Sequence, residues 1–84
     1  MKKMYIELYA SLMALLPPGK ERFRREIQID DETSVQQLIK RFHITDEQAH
    51  IVLLNGHFVC GDDRKTTMLQ SEDIVSIWPP VAGG

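Results

Sequence analysis

Residues 51–60 read Ile-Val-Leu-Leu-Asn-Gly-His-Phe-Val-Cys, a pattern typical of a β-hairpin. Two short apolar runs flank Asn55-Gly56, and both residue types readily adopt the positive φ angles that a type I′ turn requires. The stretch therefore predicts two antiparallel strands joined at this dipeptide. If the Val59 side chain points into the core, the Phe58 side chain points outward, because successive strand residues face opposite sides.

One amphipathic helix is predicted to precede the hairpin. Its apolar stripe recurs at positions i, i+3, i+4 and i+7, which are Val35, Leu38, Ile39 and Phe42. Either Thr33 or Ser34 can cap the N-terminus, and the glutamine three residues later, Gln36 or Gln37, completes a capping box. A helix of this kind can cover one face of a sheet.

Three further segments are predicted to be strands, at residues 4–9, 23–29 and 74–78. In the first, apolar and polar residues alternate, which indicates a half-buried strand. In the second, the inward positions include Phe23 and also Arg25. A charged residue at an inward position is best explained by an edge strand.

The connecting segments complete the expected fold. Residues 10–16 predict a helical turn, in which Leu12, Leu15 and Leu16 lie on one face. Residues 61–67 predict a polar loop. The order strand, strand, helix, strand, strand, strand indicates an α+β fold, with one sheet layer and one helix.

The composition predicts one globular domain and narrows its partners. The 84 residues suffice for a single core. A formal net charge of −2 disfavours nucleic acid and anionic membranes, which select basic surfaces, and no stretch is long enough to span a membrane. The one cysteine, Cys60, excludes an intrachain disulfide and a cysteine-only metal site, so we expect a quiet thiol and a cytoplasmic location.

An extended tail, residues 79–84, is predicted to follow a compact domain of residues 1–78, and it reads Pro79-Pro80-Val81-Ala82-Gly83-Gly84. Proline fixes φ and lacks an N–H donor, so the two prolines end the last strand. The glycines have no Cβ and can enter a channel that a larger residue would block. Fully extended, the tail spans roughly 20 Å, enough to carry its carboxylate into another protein.

These features together resemble the MoaD/ThiS sulfur carriers, and most closely the small subunit of molybdopterin synthase. The resemblance rests on Asn55-Gly56, on Leu69 and on residues 72–84, which read EDIVSIWPPVAGG. It implies an α+β, ubiquitin-like β-grasp fold, in which a mixed sheet of about five strands packs on one main helix. It also implies that the last strand lies centrally, so that the tail leaves the middle of the sheet.

The resemblance further implies a carrier of activated sulfur. An adenylating enzyme of the ubiquitin-activating type, using ATP and Mg²⁺, would adenylate Gly84. A sulfur donor protein would then convert it to a thiocarboxylate, with Gly83 supplying clearance. The large subunit of molybdopterin synthase would receive the sulfur for molybdenum or tungsten cofactor synthesis. The chain itself would bind no cofactor and would not be an enzyme, and we find no nucleophile–base pair or phosphate-binding loop in the sequence.

A docking surface is expected beside the tail. Strand alternation turns Tyr9, Phe58 and Trp78 outward, where three neighbouring aromatic side chains would form an interface patch. By resemblance, the matching family positions contact both the adenylating enzyme and the large subunit. The expected partner-binding residues are Tyr9, Phe58, Trp78, Pro79, Pro80, Val81 and Ala82.

Other features of the sequence leave alternatives open. The family usually has Asp-Gly-Asp before the last strand, where this chain has Ser71-Glu72-Asp73, so Glu72 is costly there if its φ is positive. No metal site is expected from His43, His50, His57 and Cys60, and the basic residues within 20–25 predict a solvated edge. The rival functions are a carrier for thiamine thiazole or another sulfur pathway, a ubiquitin-like protein modifier, and an interaction module with an inert tail.

Overall fold

The computed structural model describes residues 1–81. Its five strands are β1 (Lys2–Leu8), β2 (Arg24–Ile29), β3 (Ile51–Leu54), β4 (His57–Phe58) and β5 (Ile74–Trp78). One α-helix, α1 (Val35–Arg41), follows β2, and two short 3₁₀ helices cover Ala10–Leu15 and Gly61–Asp63. No helix in the described part of the chain is long and apolar enough to cross a bilayer.

The sheet is mixed, and its strand order is β2-β1-β5-β3-β4. β1 and β5 run parallel, whereas β1–β2, β3–β5 and β3–β4 are antiparallel. β5 therefore lies at the centre, with β1 on one side and β3 on the other. This arrangement is the predicted ubiquitin-like β-grasp fold, and the chain leaves β5 from the middle of the sheet.

The core fills the space between one face of this sheet and α1. Alternate residues of the two parallel strands point into it, and each large aliphatic side chain contributes roughly 1.5–3 kcal/mol when fully buried. The fully buried side chains that are also large include Met4, Ile6, Leu8, Leu38, Ile39, Leu69, Val75 and Ile77. The alternation predicted for β1 and the apolar stripe predicted for α1 are therefore confirmed.

The start of α1 shows why the sequence pattern identified it. The Ser34 hydroxyl accepts a hydrogen bond from the Gln37 N–H at 3.1 Å, and the Gln37 side chain accepts one from the Ser34 N–H at 2.8 Å. Of the two capping alternatives, Ser34 is thus the residue used. The next two N–H groups, of Val35 and Gln36, donate to the carbonyls of Thr67 and Arg64.

The Asn-Gly turn is confirmed, although the second strand of the hairpin is shorter than predicted. Asn55 and Gly56 have φ angles of 52° and 85°. The Asn55 side chain also joins this turn to β5, because its Oδ1 accepts from the Ile74 N–H at 2.8 Å. β4 ends at Phe58 rather than at residue 60; the Val59 N–H still donates to the Val52 carbonyl at 2.9 Å, and the second 3₁₀ helix begins at Gly61.

In the edge strand β2, the predicted inward direction of Phe23 is wrong, and the inward position of Arg25 has a structural explanation. Phe23 lies before the strand and is 37% exposed, so it is not an inward residue. Arg25 does lie opposite the core residue Ile6, but at the border of the sheet. There its guanidinium donates to the carbonyls of Pro17 and Glu21, which ties down the loop before β2.

Two connecting segments differ from their predictions. The segment after β1 is a 3₁₀ helix, whose three residues per turn do not align the leucines as an α-helix would. Leu12 is buried and Leu16 packs partly against the core, but Leu15 is exposed. The polar loop after the hairpin contains a buried residue, Arg64, whose Nη2 donates to the Ala49 carbonyl at 2.7 Å.

We expect Glu72→Gly to stabilise the protein by about 0.5–1 kcal/mol. Glu72 has a φ of 70°, and this left-handed conformation costs a residue with a Cβ roughly 1–2 kcal/mol, more than the unfolded-state freedom that glycine adds. The exposed Glu72–Lys3 ion pair, at 3.5 Å, contributes little. Urea unfolding measures the change. The neighbouring Ser71→Gly is the control and should destabilise, and a less stable Glu72→Gly would contradict the explanation.

Candidate functional site

The sheet face opposite α1 is the candidate binding surface, and we call it the outer face. Since Ile6 and Leu8 of β1 point into the core, Tyr5 and Glu7 point the other way. The strand register places Glu7 opposite Ser76 of β5, and Ser76 opposite Leu53 of β3. The outer face thus runs without interruption across the central three strands.

Three aromatic rings stack at the end of the outer face where the chain leaves β5. The rings of Tyr9 and Trp78 are almost parallel, at 3°, with centroids 4.4 Å apart. Phe23 stacks on the other side of Tyr9, at 5.0 Å and 30°. The Arg22 guanidinium lies 5.3 Å from the Phe23 centroid and extends the column. We call Phe23, Tyr9 and Trp78 the aromatic stack.

A polar cluster around Glu7 lies directly beside the aromatic stack. One carboxylate oxygen accepts from the Tyr9 hydroxyl at 2.8 Å and from the Ser76 hydroxyl at 2.9 Å. The other accepts from Nε and Nη2 of Arg24, at 2.9 and 2.7 Å. The Glu7 side chain is only 16% exposed, so its charge depends on these four hydrogen bonds.

The hydrogen bonds determine the charge state of the cluster. Burial alone would raise the pKa of Glu7, but donors from Arg24, Tyr9 and Ser76 together outweigh it, and the pKa lies below its usual value. Burial and the hydrogen bond to Glu7 raise the pKa of Tyr9. The hydrogen bond to Glu7 likewise raises the pKa of Arg24. At neutral pH the cluster therefore holds a carboxylate, a neutral phenol and a guanidinium.

Phe58 lies apart from the aromatic stack, which corrects the prediction of one patch containing Tyr9, Phe58 and Trp78. It is 63% exposed, but β3 separates its strand from β5, and it sits opposite Leu53. The contact that the sequence did not reveal is Phe23, which was expected to point inward. Apolar Ile51 and Leu53 lie on the outer face between Trp78 and Phe58.

The tail begins at the aromatic stack. The Trp78 carbonyl accepts from the His50 N–H at 3.1 Å, which fixes the last residue of β5. Pro79 is half-buried, Pro80 is exposed and Val81 is 82% exposed. An open apolar groove of about 380 Å³ lies beside the tail and is lined by His50, Ile51, Leu53, Trp78, Pro79 and Val81. The expected site residues Ala82, Gly83 and Gly84 lie outside the described residues.

The structure also shows the surroundings of the remaining candidate residues, which are the histidines, Cys60 and the basic residues within 20–25. Within residues 1–81, no group of three or more His, Cys, Asp or Glu side chains could hold a metal ion. The Cys60 thiol donates to the Asp63 carboxylate at 3.1 Å. The basic strip predicted as a solvated edge is only partly so, because Arg24 pairs with Glu7 and Arg25 binds loop carbonyls, while Lys20 and Arg22 are exposed.

Comparison with known proteins identifies the family of this fold and its tail. The family model described as the ThiS family matches residues 6–84. The chain belongs to the ThiS family. This is a family of ubiquitin-like sulfur carriers and modifiers, and the match extends through the tail. No curated protein matches the sequence significantly.

Solved structures similar to this ThiS-family chain include proteins from archaea and bacteria. A Haloferax volcanii protein studied in solution has a TM-score of 0.75 and 25% identity, covering 99% of this chain and 87% of its own. Small archaeal modifier protein 1 of H. volcanii has a TM-score of 0.69 and 16% identity, covering 96% and 100%. One chain in the complex of subunits 1 and 2 of the Helicobacter pylori molybdopterin-converting factor matches with a TM-score of 0.57 and 18% identity, covering 98% of this chain and 99% of its own.

Acid is expected to weaken this ThiS-family protein through Glu7. Because its pKa is lowered on folding, the stabilisation is complete above the unfolded-state pKa, about 4.3, and is lost as pH falls through the folded-state pKa. Glu7→Gln should therefore cost about 1–3 kcal/mol at neutral pH, and the difference from wild type should shrink below pH about 4.

Urea unfolding between neutral and acidic pH measures this difference. Glu26→Gln is the matched control, because Glu26 is an exposed glutamate on the neighbouring strand β2. The control should follow the wild-type pH dependence. A Glu7→Gln protein that is equally destabilised at all pH values would contradict the assignment of the charge to Glu7.

Proposed function

We propose that this chain is a carrier of sulfur, whose Gly84 carboxylate is activated and converted to a thiocarboxylate for molybdopterin synthesis. The observation that supports this most is the exit of the tail from β5, the central strand, beside an aromatic stack. Pro79 and Pro80 stiffen the first part of the tail, and Val81 is already almost fully exposed. A rigid domain would thus present an extended tail that reaches a partner's active site.

The chemistry follows from the terminal carboxylate. A carboxylate is a poor electrophile because its leaving group would be oxide. Adenylation with ATP and Mg²⁺, both held by an activating enzyme, displaces pyrophosphate and makes AMP the leaving group. A sulfur donor protein then supplies sulfur at the hydrosulfide level, which attacks the acyl carbon and expels AMP. The product is a thiocarboxylate, whose sulfur is a stronger nucleophile than the carboxylate oxygen. The carrier supplies the reacting atoms and their positioning and is not itself the catalyst.

The proposed partner in the synthase is its large subunit. The similar H. pylori structure is a complex of subunits 1 and 2 of the molybdopterin-converting factor. In this chain, the aromatic stack and the apolar groove offer anchors around the tail base, and Phe58 offers a further one two strands away. Aromatic side chains of this kind carry a large share of binding energy at protein interfaces. Gly83 and Ala82 would continue from Val81 into the partner's channel.

A protein modifier is the second candidate function. One similar structure is that of the small archaeal modifier protein 1 of H. volcanii, and the same activated Gly84 could join a lysine amine instead of accepting sulfur. A sulfur carrier for thiamine thiazole or another pathway uses the same first steps and differs only in the final acceptor. The reaction product at Gly84 distinguishes carrier from modifier.

Intact mass measurement tests the proposed reaction. The chain is co-expressed with a candidate adenylating enzyme and a sulfur donor, and the mass of the purified protein is determined. We expect a gain equal to one oxygen-to-sulfur exchange, localised to Gly84 by fragmentation. Deletion of Gly84 should abolish the exchange without unfolding the domain, because the folded core ends at β5.

Two other results would overturn this proposal. Adducts of the chain with lysines of other proteins, without sulfur exchange, would identify a modifier. An unchanged mass with every adenylating enzyme tried would favour an interaction module with an inert tail. The acceptor pathway is then assigned by adding the thiocarboxylated chain to a molybdopterin precursor with the candidate large subunit.

We expect Trp78→Ala to weaken binding of the large subunit or the adenylating enzyme by about tenfold or more, since an interface aromatic anchor would be removed. The domain should remain folded, because Trp78 lies on the outer face rather than in the core. Isothermal titration calorimetry measures the affinity, and Tyr5→Ala, an aromatic truncation further from the tail on the same face, is the control. Equal affinity of Trp78→Ala and wild type would rule out this docking role.

A further inference from the structure

The Glu7 side chain links three segments of the candidate site to one another. Its two carboxylate oxygens receive donors from Arg24 on β2, from Ser76 on β5 and from Tyr9 just after β1. Both oxygens are fully engaged, each with two donors at 2.7–2.9 Å. Hydrogen bonds to a charged acceptor are short and roughly twice as strong as neutral ones. The cluster is therefore a stiff joint between three neighbouring segments.

The Tyr9 ring is held at two places by different interactions. Its backbone N–H donates to the Ile77 carbonyl at 3.2 Å, which places the residue next to the end of β5. Its hydroxyl is anchored on Glu7, and its ring face lies against Trp78 at 4.4 Å. Rotation about the Tyr9 side-chain bonds would break the hydroxyl contact and the stack together.

We propose that Glu7 is a positioning residue for the docking surface: its carboxylate fixes the Tyr9 ring and thereby the Trp78 indole at the base of the tail. Glu7 itself is mostly covered and offers little surface to a partner. It acts through the orientation of the two rings. The effect on the rings is independent of the proposed function, whereas the effect on partner binding rests on it.

The physical benefit is preorganisation. A side chain that is ordered before binding loses less freedom when a partner covers it. Trp78 directly precedes Pro79, so the indole also lies beside the start of the tail. Losing the Glu7 anchor should leave the rings in place on average but allow them more orientations.

Spectroscopy on the single tryptophan tests the first half of the proposal. Trp78 is the only tryptophan in the sequence, so the near-ultraviolet circular dichroism of its indole and its one indole N–H resonance report on this site. Tyr9→Phe removes the hydroxyl but keeps the ring, and Glu7→Gln removes the charge. Both should weaken the indole dichroism and shift the N–H resonance. Tyr5→Phe and Glu26→Gln are matched controls on β1 and β2 and should leave both signals unchanged.

Adenylation kinetics test the second half. In ATP–pyrophosphate exchange with the adenylating enzyme that modifies the wild-type chain, both variants should raise the KM for the carrier by about two- to tenfold. The kcat should stay within about twofold, because Gly84 is untouched. The kinetics are measured at a temperature at which every variant is fully folded without urea, as judged from its urea unfolding curve at that temperature.

The outcomes separate this proposal from the proposed function. Unchanged indole signals in both variants overturn the proposal, even if the variants are less stable, because Glu7 would then only hold the strands together. Changed indole signals with an unchanged KM overturn the role in docking. If no enzyme adenylates the wild-type chain, that result counts against the proposed function, while the indole signals still decide whether Glu7 positions the rings.

Discussion

The parallel pairing of β1 with β5 is the contact on which the rest of the structure depends. It brings together two strands that lie far apart in the sequence and makes β5 the centre of the sheet. The same register aligns Glu7 with Ser76 and carries Tyr9 to the side of Trp78. Core, polar cluster and aromatic stack are thus all consequences of one strand alignment, since a shift by one residue would turn every side chain to the opposite face.

This alignment also explains how a small domain can present a tail with a defined starting direction. A strand at the border of a sheet has a neighbour on one side only, whereas β5 is hydrogen-bonded to β1 and β3. The chain therefore leaves a backbone that is fixed from both sides, and Pro79 and Pro80 continue it with restricted φ angles. The rings beside this exit give the rigid base an apolar surface.

The sequence predicted those parts of the fold that depend on neighbouring residues. The Asn55-Gly56 turn and the Ser34–Gln37 capping box are local, and both were recognisable from residue type and spacing. The Glu7 cluster was not, because two of its three partners, Arg24 and Ser76, are 17 and 69 residues away in the sequence. A glutamate that alternates outward looks like an ordinary exposed residue until the neighbouring strands are known.

The candidate site could likewise be predicted only in part, because it also depends on contacts between residues that are distant in the sequence. Strand alternation places Tyr9 and Trp78 on one face. It assigns Phe23 inward, because the pattern predicts a strand that begins one residue before the observed start of β2. Alternation also groups Phe58 with Tyr9 and Trp78, because it does not give the order of the strands, which is implied only by the resemblance. Arg64, buried within a polar loop, carried no signal in its surroundings.

The central place of β5 also governs how the domain can form during synthesis. β1, β2, β3 and β4 all precede β5 along the chain, so the ribosome releases these four strands before the central strand that joins them into one sheet. Until then β1 has an unpaired edge, and such edges invite pairing with other chains. The two halves of the sheet must wait for β5, and folding is expected to be completed late and in one step rather than strand by strand.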